Sequence, residues 1–283
     1  MVFSNLKKNI LNPEDIYDTF RDNGIVTINN LIDEGSIKDI KKKLLSIELD
    51  RTNRVNAMNL HKNGIVKLIF NEKIRYLINL FIPDGIIWHL HYLKSHSNQF
   101  KPHFTPETRY GYFHRDRITN YIHDKVEFFD IMIYLNDVGE NDGAFAFLPI
   151  RPDNDIDVDK AKKSSKIIGP SGLGILSRVD WWHSATANVG NNDREMIRVS
   201  IAKNMYYDPI HNSHDYIDLR NYYKDKDKFL YYLFGGDRRW GKNIEQPKQK
   251  KIDNIIFNIP PLNYQFSKSY KSILKKKIKS IIN

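Results

Sequence analysis

The fold is decided by residues 129–148, which read FDIMIYLNDVGENDGAFAFL. The segments 129–135 and 144–148 are predicted strands, because both are dominated by aromatic, β-branched and other apolar residues. Between them, 139–143 combines Gly, Asn and Asp, the residues that turns favour. The stretch therefore predicts two neighbouring strands joined by a turn.

The sequence on either side of this stretch predicts more short strands. From about 110 to 205 they follow one another without helices, which is typical of an antiparallel sandwich or barrel with helices around it. The predicted elements are helices at 14–22 and 34–47, and strands at 24–28, near 65–70, at 85–93, at 174–176 and at 197–205.

The simplest interpretation is a single domain spanning 1–283. Its core covers about 14–205, and residues 206–283 form a C-terminal extension. No internal repeat and no Pro/Gly/Ser-rich linker divides the chain.

The composition excludes several kinds of chemistry. Cysteine is absent, so disulfides, thiolate zinc sites, iron–sulfur clusters and cysteine nucleophiles are excluded. A metal site must therefore use His, Asp, Glu and water. No apolar run reaches the roughly 18–20 residues of a membrane span, and the N-terminus turns polar too early for a secretory signal. We expect a cytoplasmic protein.

The net charge of +10 is concentrated in the tail 267–283. This tail holds six lysines and no acidic residue, and without it the net charge falls to +4. The body is thus only mildly basic, and we expect no nucleic acid partner. The apolar residues of the tail have near-helical spacing, so the tail can lie on an anionic membrane or dock on a partner. The alternative is a helix packed on the domain with its lysines in water.

The pattern His114-x-Asp116 carries the first indication of metal chemistry. On a strand, residues i and i+2 project to the same face, so both side chains can reach one metal ion. His183 follows a predicted strand and is the best third ligand. Two His and one carboxylate form the facial triad of non-haem Fe(II) oxygenases. On its own, His114-x-Asp116 also fits a strand end with a local salt bridge to Arg115 or Arg117.

A second pattern, Arg198-Val-Ser200, follows His183 at the start of the next predicted strand. Arginine holds a carboxylate through a bidentate fork, and a hydroxyl two residues later points the same way. The order of an HxD pair, a distant His and an RxS pair is far more specific than any one of them.

Together these motifs resemble the phytanoyl-CoA dioxygenase family of Fe(II)/2-oxoglutarate-dependent oxygenases. The resemblance covers about 14–205 and includes FRDNGIVTINNLIDEGSIKDIKKKL near the start, LNDVGENDGAFAFLP at 135–149, and the spacing from Gly172 to His183. Two departures stand out: residues 149–152 read PIRP where the family often has PGSH, and the family's arginine more often occupies the position of Arg194. We prefer Arg198, because it begins a regular alternation of side chains.

The resemblance implies a double-stranded β-helix (jelly roll, cupin-like) and a dioxygenase that hydroxylates a small-molecule substrate with release of succinate and CO2. It implies Fe(II) held by His114, Asp116 and His183. Related halogenases have a small residue in place of the carboxylate ligand, which frees a metal position for chloride. Because Asp116 keeps the carboxylate, the resemblance favours hydroxylation, desaturation or another oxidation over halogenation.

The same resemblance implies contacts to the co-substrate 2-oxoglutarate. Its far carboxylate would pair with Arg198 and Ser200, with Thr186 and Tyr134 as additional contacts. The substrate would lie against 96–112 and the extension after 207.

Three other interpretations stay open from the sequence. Residues 236–243 match GxxxxGK but lack the Ser/Thr that ligates Mg²⁺, so a P-loop nucleotide binder is the weakest of them. A cupin-like binding module without catalysis would use the same barrel as a scaffold. His89 and His91 alternate on a predicted strand, where they either line the pocket or form ordinary hydrogen bonds.

Overall fold

The computed structural model describes residues 13–98, 114–115, 125–148, 165–203, 213–237, 245 and 257–258. These residues form seven helices: α1 (Pro13–Asn23), α2 (Glu34–Leu44), α3 (Ala57–Lys62), α4 (Ile65–Ile69), α5 (Glu72–Phe81), α6 (His214–Tyr223) and α7 (Lys228–Leu233). They form ten strands: β1 (Ile25–Ile28), β2 (Arg54–Asn56), β3 (Gly85–Ser95), β4 (Phe128–Tyr134), β5 (Phe145–Phe147), β6 (Ser165–Ile167), β7 (Gly174–Arg178), β8 (His183–Ala185), β9 (Arg194–Lys203) and β10 (Phe257–Asn258).

The strands form two antiparallel sheets. The larger has the order β10-β1-β7-β4-β9-β3-β2, and the smaller has the order β6-β5-β8. From β4 to β9 the chain passes repeatedly between the sheets, with β4, β7 and β9 in the larger and β5, β6 and β8 in the smaller. This exchange of strands between two facing sheets confirms the antiparallel sandwich that the strand pattern predicts.

The two faces of the large sheet pack against different partners. Ile131 and Val199 point outward and join a large apolar cluster with helical residues such as Leu77. Met132 points inward and packs in a second cluster with Phe147 of the small sheet. Because both faces are covered, β4 is almost continuously apolar, as the sequence shows.

Helix α2 shows how the sequence sets the helical layer. The side chain of Asp33 accepts a hydrogen bond from the Ser36 backbone N–H at 2.9 Å, which caps the first turn. Ile37 and Ile40 lie on the buried face. This helix and α1 confirm the predictions at 34–47 and 14–22, with α2 ending earlier than predicted.

The segment near 65–70 is a correction, because it forms helix α4 and not the predicted strand. Gly64 adopts φ +71° before the helix, and the Asn71 side chain caps the next helix by accepting from the Ile74 backbone N–H at 3.0 Å. A short apolar run does not distinguish a strand from a buried helix. Its flanking turn residues favour the helix.

The described parts of the C-terminal extension, 213–237 and 257–258, pack on the rest of the fold. Leu230 and other side chains of α6 and α7 belong to the large apolar cluster. The Arg75 guanidinium on α5 binds both carboxylate oxygens of Asp227, with Nη1 at 2.9 Å from Oδ1. Strand β10 pairs with β1 at the edge of the large sheet. The helices and β10 therefore close over the core.

Within the described ranges, no helix has the length and apolar character needed to cross a bilayer. The basic tail 267–283 and the substrate-wall segment 99–112 lie outside the described residues.

Candidate active site

Two of the predicted metal ligands lie side by side. The His114 backbone N–H donates to the His183 carbonyl, and the His183 N–H donates to the His114 carbonyl, both at 3.0 Å. This isolated bridge lies next to β8, so His114 extends the small sheet by one more position. The two imidazole rings are 4.6 Å apart between centroids. The structure thus brings together two residues that the sequence separates widely.

The environment of His183 sets which ring nitrogen carries its proton. Its Nδ1 lies 2.9 Å from the Trp181 carbonyl oxygen. A carbonyl only accepts, so Nδ1 must carry the hydrogen and the lone pair lies on Nε2. His183 is buried, and its ring stacks on Phe145 at 5.7 Å. Imidazoles that bind metals are commonly oriented by such a backbone hydrogen bond.

The neighbouring aromatic residues hold this region in place. The Arg115 guanidinium lies 4.8 Å above the ring of Trp182, which favours a cation–π contact. Trp181 is buried and packs on Gly24 at the start of β1. The turn before His183 is therefore fixed from both sides, while His114 itself is exposed at the rim.

The predicted carboxylate ligand, Asp116, lies outside the described residues. Among the residues that are described, no three His, Asp or Glu side chains gather into a metal-binding group. The assignment of Asp116 as third ligand stays a prediction.

Arg198 lies on the inner face of β9 and already has a carboxylate partner. Its Nη2 is 2.6 Å from Oδ2 of Asp130, which is buried on β4. About a quarter of the Arg198 side chain is exposed. Asp130 was not among the sequence-predicted site residues, although a carboxylate in the apolar segment 129–135 was a signal that it has a special role.

Arg194, the alternative arginine, differs in its surroundings. It lies on the same face of β9, is buried, and donates from Nη1 to the Gly143 carbonyl. Within the described ranges it has no carboxylate partner, and its Nε makes no hydrogen bond. Burial lowers the pKa of its guanidinium, against an opposing effect of Tyr134.

The remaining predicted contacts, Ser200, Thr186 and Tyr134, are all buried. The Ser200 hydroxyl has no hydrogen-bond partner among the described residues. The Thr186 hydroxyl donates to the Ala144 carbonyl at 2.9 Å, and the Tyr134 hydroxyl donates to the Ile167 carbonyl at 2.8 Å. Both hydroxyl groups already donate their protons to backbone carbonyls. To donate to 2-oxoglutarate instead, each would have to break this bond, and the predicted contacts stay predictions.

The P-loop interpretation of 236–243 loses its structural context. A phosphate-binding loop of that kind follows a strand, whereas helix α7 precedes Gly236 here. Residues 238–243 lie outside the described residues.

A separate open groove of about 1110 Å³ lies between α2 and nearby loops, and is lined by residues such as Lys38, Asn136 and Asp193. It contains none of the residues that the sequence assigns to the iron or to 2-oxoglutarate.

Comparison with solved structures identifies the architecture. HygX from Streptomyces hygroscopicus with iron bound matches with a TM-score of 0.53 and 15% identity, over 68% of this chain and 87% of that chain. AviO1 from Streptomyces viridochromogenes Tue57 matches with a TM-score of 0.53 and 16% identity, over 69% of this chain and 96% of that chain. The fold is the double-stranded β-helix.

A third solved structure is that of SnoN, a non-heme alpha ketoglutarate dependent epimerase from nogalamycin biosynthesis. It matches with a TM-score of 0.50 and 16% identity, over 68% of this chain and 83% of that chain. HygX has also been crystallised with nickel and 2-oxoglutarate, and that structure has 14% identity to this chain. No family model and no curated protein matches the chain.

Proposed function

We propose that this protein is an Fe(II)/2-oxoglutarate-dependent oxygenase of the phytanoyl-CoA dioxygenase type, acting on a small molecule. The observation that carries the proposal is the His114–His183 pair on the small sheet of a double-stranded β-helix. Solved proteins of the same architecture are described with iron, or with nickel and 2-oxoglutarate.

The donor set that is described fits an iron site. Two imidazoles lie together, and the Nδ1 hydrogen bond of His183 leaves Nε2 to bind a cation. Asp116 is two residues beyond His114 in the sequence, and would add the carboxylate. Two His and one carboxylate leave open positions for a bidentate co-substrate and for dioxygen.

For the far carboxylate of 2-oxoglutarate we propose Arg194 as the anchor, in preference to Arg198. A buried guanidinium without a counter-ion is costly, and a carboxylate guest would relieve that cost. Arg198 is already neutralised by Asp130. Arg198 with Ser200 remains the alternative that the sequence pattern favours.

When bound, Fe(II) with 2-oxoglutarate and dioxygen would supply the oxidising power for attack on a substrate C–H bond: one oxygen atom of dioxygen would go to succinate, with release of CO2, and the other to the product. The residues of this chain bind, orient and shield the reactants. Trp181 and Phe145 exclude water on the buried side of His183, while the exposed His114 marks the side from which substrate arrives. We propose hydroxylation as the reaction.

The test is succinate release by the full chain with Fe(II), 2-oxoglutarate and pools of candidate substrates. We expect turnover in the wild type, and a loss of at least about a hundredfold in His114→Ala and in Asp116→Ala, because each removes a metal ligand. Fe(II) affinity, measured by calorimetry without oxygen, should fall in the same two variants.

His214→Ala is the matched control, because His214 begins α6 and is exposed. It should keep both activity and iron affinity. A protein that binds neither iron nor 2-oxoglutarate and releases no succinate would instead be the non-catalytic binding module. Turnover that survives His114→Ala would overturn the assignment of His114 as an iron ligand.

A further inference from the structure

The inner face of the large sheet carries a row of polar side chains, across the space between the sheets from the small sheet that holds the candidate iron ligand His183. In the strand register, His89 on β3, Ser200 on β9 and Asp130 on β4 are direct neighbours. Two residues further along these strands, on the same face, His91 is the direct neighbour of Arg198. Polar groups on three adjacent strands thus face the space between the sheets, where a jelly roll would otherwise be apolar. We call these five residues the polar row.

Several atoms of the polar row lack hydrogen-bond partners among the described residues. They are Asp130 Oδ1, Ser200 Oγ and His91 Nε2. Asp130 is 3% exposed and Ser200 is 0% exposed. A buried polar atom without a partner gives up its hydrogen bonds with water and gains none in the protein, which is unfavourable. Three such atoms on one face therefore indicate a ligand that supplies the missing partners.

The charges of Arg198 and Asp130 in the polar row cancel. The Arg198 guanidinium lies 2.6 Å from the Asp130 carboxylate, so the pair is neutral as a unit. Burial and the nearby Arg198 lower the pKa of His91 to about 3, which keeps its imidazole uncharged at neutral pH. A ligand bearing a net charge finds no unmatched opposite charge in this pair or on His91. An uncharged ligand with several hydroxyl groups meets both donors and acceptors.

Aromatic rings border the polar row. Trp88 is the extra residue of a bulge, because Ile87 pairs with Ile201 while His89 pairs with Ser200. Its ring lies 5.6 Å from that of Phe128, which precedes Asp130 by two residues on the same face of β4. An aromatic surface next to a few hydrogen-bonding groups is the common composition of a small-molecule pocket.

The polar row and the histidine pair are connected through the second apolar cluster. Met132 pairs with Arg198 across the strands and belongs to the same apolar cluster as Phe147. Phe147 in turn pairs with His183 on β8. The strand neighbours of Arg198 and of His183 therefore lie in the same apolar cluster between the sheets.

We propose that the polar row, with Trp88 and Phe128, recognises the substrate, and that this substrate is an uncharged polyhydroxylated molecule such as a sugar or a cyclitol. Calling this molecule a substrate rests on the proposed oxygenase function. Its binding to the polar row needs neither iron nor 2-oxoglutarate.

Saturation-transfer NMR on the full chain in EDTA tests the binding alone. The probes are myo-inositol, methyl α-D-glucopyranoside and methyl α-D-mannopyranoside, with D-glucuronate and D-glucosamine as charged counterparts. We expect at least one neutral polyol to bind more tightly than both charged sugars. Ser200→Ala and His91→Phe each remove one hydrogen-bonding group and should weaken that binding about fivefold to tenfold.

Ser184→Ala is the matched control. Ser184 is also a buried strand serine, but it lies on β8 beside His183 and its hydroxyl donates to the Ala185 carbonyl at 3.0 Å. It should bind the polyol as the wild type does. The proposal is overturned if no neutral polyol binds, if a charged sugar binds better, or if both Ser200→Ala and His91→Phe leave the affinity unchanged.

The two proposals fail in different ways. Consumption of 2-oxoglutarate with Fe(II) by a protein that binds none of the polyols overturns only the substrate inference. Suppose instead that a polyol binds, that Ser200→Ala weakens this binding, and that the protein never releases succinate. That result supports ligand recognition by the polar row and overturns the oxygenase proposal.

Discussion

Arg194 and Arg198 lie four residues apart on the same face of β9, yet their surroundings differ. Arg198 forms an ion pair with Asp130 at 2.6 Å, whereas Arg194 is buried with the Gly143 carbonyl as its described hydrogen-bond acceptor. An ion pair within the protein satisfies a guanidinium before any ligand arrives. This difference is the reason for proposing Arg194, rather than Arg198, as the anchor for a carboxylate.

This difference gives a prediction for the two arginines. Arg194→Lys keeps the charge but loses the fork, and should raise the KM for 2-oxoglutarate roughly tenfold or more, since a charge-assisted hydrogen bond contributes about 1.5–3 kcal/mol. Arg198→Lys should change that KM little. The measurement is succinate release against 2-oxoglutarate concentration, with circular dichroism to verify that both variants fold.

The opposite result, a raised KM for 2-oxoglutarate in Arg198→Lys alone, would identify Arg198 with Ser200 as the anchor for 2-oxoglutarate. It would also place 2-oxoglutarate on the polar row.

At the residue scale, the sequence predicted part of the geometry, while the roles of these residues in a metal site stay predictions. The motif spacing identified His114 and His183, which the structure brings together. It did not identify the Asp130–Arg198 pair. Those two residues meet because β4 and β9 are neighbours in a particular register, and register between distant strands is a property of the folded sheet.

Among the elements, the junction between α1 and β1 depends on one glycine. Gly24 has φ +71°, and a Cβ there would lie 2.2 Å from Cδ2 of the buried Trp181. Trp181 also supplies the carbonyl that orients His183. The turn between α1 and β1 is thus packed directly against the turn that precedes the candidate ligand His183.

Gly24→Ala should therefore lower the free energy of unfolding by about 2–4 kcal/mol, through a strained φ and through displacement of the Trp181 ring. Gly64→Ala is the matched control, since Gly64 has the same φ of +71° but the nearest atom to its Cβ is Lys43 Nζ at 3.8 Å. It should lose only about 1 kcal/mol. Urea denaturation followed by circular dichroism measures both, and equal losses would contradict the role of Trp181.

Element types were predictable wherever periodicity was clear. The strands at 24–28, 85–93, 129–135, 144–148, 174–176 and 197–205 are confirmed by β1, β3, β4, β5, β7 and β9. The error at 65–70 arose because five apolar residues fit either a strand or a helix. The bulge at Trp88 was not predictable, because an extra residue is defined only against its partner strand.

For the molecule as a whole, the Arg75–Asp227 ion pair joins the C-terminal helices to the body. Asp227 also caps α7, where its Oδ1 accepts from the Leu230 backbone N–H at 3.1 Å. Burial alone would raise the pKa of Asp227, but the hydrogen bonds from Arg75 and the helix start lower it from 3.8. A lowered pKa means that the ionised carboxylate stabilises the folded state.

Asp227→Asn should therefore destabilise the protein by about 2 kcal/mol at pH 7. The contribution of the carboxylate is complete above the unfolded-state pKa of 3.8 and is lost as the pH falls through the lower folded-state value. The gap between wild type and variant should thus narrow below pH 3.8. Urea unfolding between pH 7 and pH 3 measures it.

Asp33→Asn is the control for this measurement, because Asp33 also caps a helix but is exposed and bonds only to Ser36 among the described residues. Its effect at pH 7 should be smaller. A gap for Asp227→Asn that stays constant down to pH 3 would show that the ion pair does not stabilise the fold.

The reciprocal backbone hydrogen bonds between His114 and His183 have a consequence for the order of events in the cell. The main chain holds both imidazoles together as soon as the small sheet forms, so the conformational entropy of pairing them is lost during folding. If the pair binds iron as proposed, the cation would meet two imidazoles that the fold already holds together, and metal loading would follow folding.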